Sequence, residues 1–78
     1  MDILNRLQEI FRDIFDDVDI VIARDASQND IEGWDSFAQV NIVATCEREF
    51  GIKFDLNNIK NLKNVGDIVD TIERKLIS

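Results

Sequence analysis

Apolar side chains recur along three stretches of the chain at the spacing of an amphipathic helix. The first stretch covers residues 2–16 and the second covers Ser36–Phe50. The third begins after Asn64, which is a predicted N-cap, and ends near Leu76. The stripe of the first stretch consists of Leu4, Leu7, Phe11 and Ile14, widened by Ile3, Ile10 and Phe15. The stripe of the third stretch consists of Val65, Ile68, Val69, Ile72 and Leu76.

The helical pattern breaks over residues 17–34. Residues 18–22 have high β-propensity, but no second strand is available to pair with them. We therefore expect an ordered loop that brings Ile31 and Trp34 to the edge of the core. A later segment, residues 56–61, is long enough for only one or two helical turns and is expected to cover the open edge of the bundle.

These patterns predict an all-α fold in a single domain of residues 1–78. Three main helices and one short helix form a small bundle, and a long ordered loop joins the first and second helices. Gly66, in the first turn of the last helix, has no explanation in the pattern.

The second helix carries two apolar stripes. The stripe made of Val43, Cys46 and Phe50, with Ile42 beside it, is expected to face the core. A second stripe has the same spacing and is rotated away from the first; it consists of Phe37, Val40 and Ala44. It is either the margin of a wide core face or an apolar contact strip at the surface, and the pattern alone leaves both open.

Charge and composition narrow the possible functions. The chain has 16 acidic and 9 basic residues, no histidine and a formal net charge of −7. Such a surface repels nucleic acid and anionic membranes. The one cysteine, Cys46, excludes an intrachain disulfide, and without histidine neither a zinc site nor a Ser-His or Cys-His couple is plausible. With no signal peptide or membrane span in the sequence, we expect a cytoplasmic monomer that is not an enzyme and does not insert into membranes.

Ser36 is the candidate for covalent chemistry. Asp35 is a predicted N-cap, whose carboxylate accepts hydrogen bonds from the first turn of the second helix. Ser36 then takes the first helical position, where the positive end of the helix dipole favours an attached phosphate. Gly51 is predicted to end the same helix.

At these residues the chain resembles the acyl carrier proteins. The matching positions are Gly33, Trp34, Asp35, Ser36, Phe37, Val40, Val43, Glu47, Phe50, Gly51 and Ile52. The resemblance extends from Ile3 to Leu76. It implies that Ser36 is esterified with 4′-phosphopantetheine by a phosphopantetheinyl transferase, which also recognises Asp35. The thiol of this arm would hold acyl or related groups as thioesters and present them to loading and transferring enzymes.

The second apolar stripe and the short segment of residues 56–61 suggest where partners and cargo lie in such a carrier. The partner-facing residues are expected to be Phe37, Val40, Asn41, Ala44, Glu47 and Arg48. A long acyl chain would enter between the second helix and residues 56–61, against Phe54, Ile59 and Leu62, with Val40 and Ala44 on the helix side. Phe54 is bulky, so this pocket is expected to be shallow.

The distribution of charge predicts a specialised carrier instead of the general carrier of fatty-acid synthesis. Residues 1–35 contain 10 acidic and 3 basic side chains, whereas residues 36–78 contain 6 of each. In the family, the second helix is typically rich in acidic residues, but here Ala38, Asn41 and Arg48 occupy such positions. Two alternatives stay open: a carrier of an aminoacyl group of the D-alanyl type, and an unmodified helical adaptor.

Overall fold

The computed structural model describes residues 2–77, which form four helices joined by irregular segments. The helices are α1 (Ile3–Ile14), α2 (Ser36–Phe50), α3 (Leu56–Lys60) and α4 (Val65–Ile77). Within residues 2–77 no β-strand forms, and the one pairing of extended backbone is an isolated bridge between Ser27 and Asn64. The predicted all-α bundle with one short helix is confirmed.

Helix α1 is two residues shorter at its C-terminal end than its apolar pattern predicted. Asp2 caps the helix by accepting a hydrogen bond from the Asn5 backbone N–H at 3.2 Å. The helix ends at Ile14, because Asp16 adopts a left-handed backbone conformation with φ of +50°. A helix cannot continue through that conformation.

The core lies between α1, α2 and α4, which pack against one another. Each of the three contributes fully buried side chains, and burial of this apolar surface is the main force that holds the bundle together. The largest fully buried side chains are Phe11, Leu7, Ile42, Ile68, Ile72, Val65 and Cys46.

Residues 17–34 form the expected loop, which is held to the bundle by side chains of α1. The guanidinium Nε of Arg12 donates to the Ile20 carbonyl at 2.8 Å, and the Ile22 backbone N–H donates to the Gln8 side-chain oxygen at 3.1 Å. Ile22 is buried, whereas Val21 is exposed. Residues 18–22 therefore form no strand despite their high β-propensity, because the Ile20 carbonyl and the Ile22 N–H are hydrogen-bonded to side chains of α1.

The same loop also contacts the start of α4, which explains Gly66. The Gly66 backbone N–H donates to the Arg24 carbonyl at 2.7 Å, and the Val65 N–H donates to the Ala26 carbonyl at 2.9 Å. A Cβ atom on residue 66 would lie 2.9 Å from the Arg24 carbonyl oxygen. Only glycine allows this approach, through which the loop satisfies two N–H groups of the first turn of α4.

Helix α3 has the predicted length of one to two turns; none of its own residues is buried, and Ile59 is partly buried against the core. It is held locally by a capping box: Asn58 N–H donates to Asp55 Oδ1 at 2.8 Å, and Asp55 N–H donates to Asn58 Oδ1 at 3.1 Å. Displacing a helix with so little buried surface costs little free energy.

Among residues 2–77, no helix is both long enough and apolar enough to cross a lipid bilayer.

Candidate functional site

The candidate site is the N-terminal end of α2, where the predicted cap is confirmed. The Asp35 carboxylate accepts a hydrogen bond from the Ala38 backbone N–H at 2.9 Å. Ser36 is the first residue of the helix and its side chain is exposed. The hydroxyl is thus open to a large partner and lies where the helix dipole favours negative charge.

The approach to this end of α2 is set by the last residues of the loop. Gly33 has a φ of +91°, a conformation that other residues rarely adopt, and it reverses the chain just before the cap. Trp34 follows and is buried, with its ring edge-on to Phe11 at a centroid distance of 5.2 Å. The expectation that Ile31 and Trp34 anchor the loop to the core is confirmed.

Gln39 is a structural residue of the site that sequence reasoning missed. Its side-chain oxygen accepts a hydrogen bond from the Trp34 indole N–H at 2.7 Å, and both side chains are buried. The bond joins the end of the loop to the second turn of α2. It fixes the direction in which the chain enters the helix, and therefore the position of Ser36.

Within residues 2–77, no side chain forms a hydrogen bond with the Ser36 hydroxyl. The chain has no histidine, and nowhere in residues 2–77 do three or more potential metal ligands cluster. The nearest carboxylate in sequence, that of Asp35, is already engaged in capping the helix.

The two apolar stripes of α2 have different environments. Val43, Cys46, Phe50 and Ile42 are buried, as predicted. Phe37 is 84% exposed and Val40 is 63% exposed, and Ala44 is exposed as well. The alternative of a wide core face is therefore wrong, since the second stripe forms an apolar strip on the surface beside Ser36.

The other residues expected to face partners differ in accessibility. Asn41 and Arg48 are exposed, whereas Glu47 is partly buried. The Glu47 carboxylate accepts a hydrogen bond from the Phe54 backbone N–H at 2.7 Å. Glu47 thus holds the segment after α2 against the helix, a role that its place in the sequence does not indicate.

Cys46 is a free cysteine that belongs to the buried core. Its side chain is completely inaccessible to solvent. Burial, which disfavours the charged thiolate, raises the pKa of Cys46 to about 12, and the negative charges of Glu47 and Glu49 add to the shift.

The residues predicted to line an acyl pocket lie at the edge of the core. Phe54 is buried, and Ile59 and Leu62 are partly buried against the core cluster. Phe54 thus already occupies the space beside α2. An acyl chain would have to displace it or the loosely held α3.

Comparisons with known proteins identify the family. A model of the family described as "Phosphopantetheine attachment site" matches residues 5–72. An acyl carrier protein of Acidothermus cellulolyticus is 32% identical over 77 residues, which cover 99% of this chain and 92% of that protein. An acyl carrier protein of Thermotoga maritima is 40% identical over 55 residues, which cover 70% of this chain and 68% of that protein.

A solved structure agrees with these relatives. The solution structure of a holo acyl carrier protein from Geobacter metallireducens superposes with a TM-score of 0.91 at 44% identity, covering 99% of this chain and 88% of that one. The members of the family are non-catalytic carriers, and the exposed hydroxyl beside an apolar strip fits attachment of phosphopantetheine. The chain belongs to the acyl carrier protein family, with a phosphopantetheine-binding domain that spans nearly its whole length.

Proposed function

We propose that Ser36 carries the 4′-phosphopantetheine arm, and that Asp35 is both its helix cap and part of what the transferase recognises. The observation that carries this proposal is the exposed Ser36 hydroxyl at the first position of α2, directly behind a formed Asp35 cap. The backbone N–H groups of that turn and the helix dipole favour the negative charge of the phosphodiester.

The modification is a transfer of phosphopantetheine from coenzyme A. The Ser36 oxygen forms a bond to the phosphorus next to the pantetheine, and the pyrophosphate bond of coenzyme A breaks to release adenosine 3′,5′-bisphosphate. The hydroxyl proton leaves to a base of the transferase. The terminal thiol of the arm then binds an acyl or related group as a thioester for delivery to partner enzymes.

The pathway is proposed to be a specialised biosynthetic one. Helix α2 has only Glu47 and Glu49 as acidic side chains beyond its cap. Glu47 binds the Phe54 backbone and Glu49 forms an ion pair with Arg6 of α1. Within residues 2–77, α2 beyond its cap therefore has only Glu47 as an acidic side chain without an ion pair to attract a basic surface on the general fatty-acid enzymes. In this role the chain acts as a cytoplasmic, monomeric carrier domain.

A long acyl cargo is proposed to enter between α2 and α3, against Phe54, Ile59 and Leu62. Burial of the chain is favourable by about 0.8 kcal/mol per CH₂ group, and α3 is the least secured wall. Loading thioesters of increasing length should shift the amide resonances of α3 progressively. An unchanged spectrum would mean that the cargo stays in solvent.

An aminoacyl group of the D-alanyl type is the second candidate cargo. The buried Phe54 side chain leaves little room for a long chain, which favours a short, polar cargo held at the surface. The Asp35-Ser36-Phe37 sequence also resembles the form found in such carriers. Intact mass of the protein from its native cell distinguishes the two cargoes directly.

The test of the attachment site is intact mass after incubation with coenzyme A and a broad-range phosphopantetheinyl transferase. The wild type should gain one phosphopantetheine unit. Ser36→Ala should gain none while keeping its helicity, and the matched control Ser27→Ala, a change of the same type in the loop, should be modified normally. A wild type that stays unmodified with several transferases would contradict the proposal and favour the unmodified adaptor.

A further inference from the structure

The acidic side chains at the C-terminal end of α2 and after it are engaged within the protein itself. Glu49 forms an ion pair with Arg6, and Glu47 accepts the Phe54 backbone N–H. Asp55 caps α3 through the Asn58 N–H. The ion pair offsets the charge of Glu49, and the two backbone contacts turn one carboxylate oxygen of Glu47 and one of Asp55 toward the chain.

The basic side chains of the same region are in the opposite situation. Arg6, Arg12 and Arg24, the cations before α2, all pair with carboxylates. Within residues 2–77, by contrast, no carboxylate lies within ion-pair distance of the side chains of Arg48, Lys53, Lys60 or Lys63. The surface that follows the apolar strip of α2 therefore presents positive charge outward.

Two of these cations border an open pocket of about 420 Å³, here called the cationic pocket. Arg48 contributes to it from the last turns of α2, and Lys53 contributes from the segment after Gly51. The pocket is lined by Ala44, Glu47, Arg48, Gly51, Ile52 and Lys53. Because Ala44 belongs both to this pocket and to the exposed strip, the pocket continues the apolar strip that begins at Phe37 beside Ser36.

The geometry points to a docking surface in which the apolar strip of Phe37, Val40 and Ala44 meets an apolar patch of a partner enzyme, and the cationic pocket receives a carboxylate of that enzyme. Arg48 and Lys53 line the pocket from two separate segments, and their two positive charges outweigh the one negative charge of Glu47, which is held by the Phe54 N–H. This inference rests on the proposed carrier function and specifies the partner: an acyl- or aminoacyl-handling enzyme whose docking patch is acidic instead of basic.

The positions of Arg48 and Lys53 also have a purely structural explanation. A basic residue in the last turn of a helix complements the negative end of the helix dipole, and an exposed lysine is common on any surface. Neither explanation predicts that replacing Arg48 and Lys53 by glutamate changes the preferred partner from an acidic docking patch to a basic one. Partner preference is therefore the decisive measurement.

The test uses the full-length protein loaded at its arm with a thiol-reactive pantetheine cross-linker, and two matched forms of one ketosynthase. One form keeps the enzyme's basic docking patch, and in the other the basic residues of that patch are replaced by glutamate. At about 0.15 M salt, where screening over about 8 Å weakens the effect of the acidic residues remote from the pocket, the wild-type carrier should cross-link about tenfold faster to the glutamate form. The double variant Arg48→Glu with Lys53→Glu should prefer the basic form.

The matched control is Arg74→Glu, which reverses an exposed cation of α4 outside the cationic pocket and should leave the preference unchanged. The mass gained on loading tests the proposed function separately, since a carrier that cannot be loaded refutes that function and this inference together. A loaded carrier that prefers the basic form, or whose preference does not respond to Arg48 and Lys53, overturns this inference alone.

Discussion

The indole N–H of Trp34 and the side-chain oxygen of Gln39 form a buried hydrogen bond of 2.7 Å that joins the long loop to α2. Gln39→Leu should lower the free energy of unfolding by about 1–3 kcal/mol, because it leaves a buried indole N–H without a partner. The measurement is urea unfolding, with the exposed loop variant Gln28→Leu as a control expected to change stability by less than about 0.5 kcal/mol.

The pair can be tested further by a double-mutant cycle. Trp34→Phe combined with Gln39→Leu should cost clearly less than the sum of the two single changes, because both polar groups are then removed together. Strict additivity would mean that the bond contributes nothing beyond the packing of its two side chains.

Asp35 is expected to matter for both stability and modification. Asp35→Ala should lower the free energy of unfolding by roughly 1 kcal/mol through loss of the cap, and should slow modification by more than this loss explains. Asp35→Asn should restore stability but not modification. The rates follow from mass spectrometry during incubation with coenzyme A and a transferase, and equal rates for both variants would make Asp35 a cap only.

Gly66→Ala tests the contact between the loop and α4. In an unobstructed helix the change would stabilise the protein by about 1 kcal/mol through helix propensity. Here the new Cβ would lie 2.9 Å from the Arg24 carbonyl oxygen, so the loop must shift and we expect a net loss of about 1–3 kcal/mol. Thermal unfolding gives the sign, and a stabilised variant would show that the loop moves away at no cost.

The raised pKa of Cys46 predicts how the free energy of unfolding changes at alkaline pH. Its thiol has a pKa of about 12 in the folded protein against the ordinary value of 9.0. The unfolded chain therefore loses the proton first as pH rises. The contribution of this thiol to the free energy of unfolding is at its full value below pH 9. Above pH 9 the contribution falls by about 1.4 kcal/mol per pH unit, until the pKa of the folded state is reached.

The difference in unfolding free energy between the wild type and Cys46→Ala isolates this effect from the titration of lysines. It should shrink between pH 8 and pH 10.5. A difference that stays constant over this range would contradict a strongly raised pKa for Cys46.

The proposed specialisation predicts that the phosphopantetheinylated protein is a poor substrate for general fatty-acid elongation enzymes. Asn41→Glu combined with Arg48→Glu should improve elongation, most visibly at low salt, because exposed charges act mainly on the rate of encounter. A wild type that is elongated as fast as its host's general carrier would refute the specialisation.

The sequence by itself determined the limits of α2 and the place of Ser36 within it. A carboxylate at Asp35 and a glycine at Gly51 act on N–H and carbonyl groups only a few residues away, so their effects follow from local spacing. Apolar periodicity likewise predicted that the stripe of Val43, Cys46 and Phe50 is buried, because these residues recur at helical intervals. Even so, the predicted C-terminal end of α1 was wrong by two residues. The apolar pattern continues through Phe15 and does not indicate the turn at Asp16.

Only the tertiary structure decided the contacts that join distant segments. The partnership of Trp34 with Gln39 requires the loop to fold back over α2, and the need for Gly66 arises from a carbonyl 42 positions earlier in the chain, that of Arg24. The exposure of Phe37 and Val40 depends on which faces α1 and α4 cover. The outward positive charge near Arg48 appears because Glu49 turns away to Arg6. Such contacts depend on how whole elements pack, and the local pattern of residues does not specify which distant segments meet.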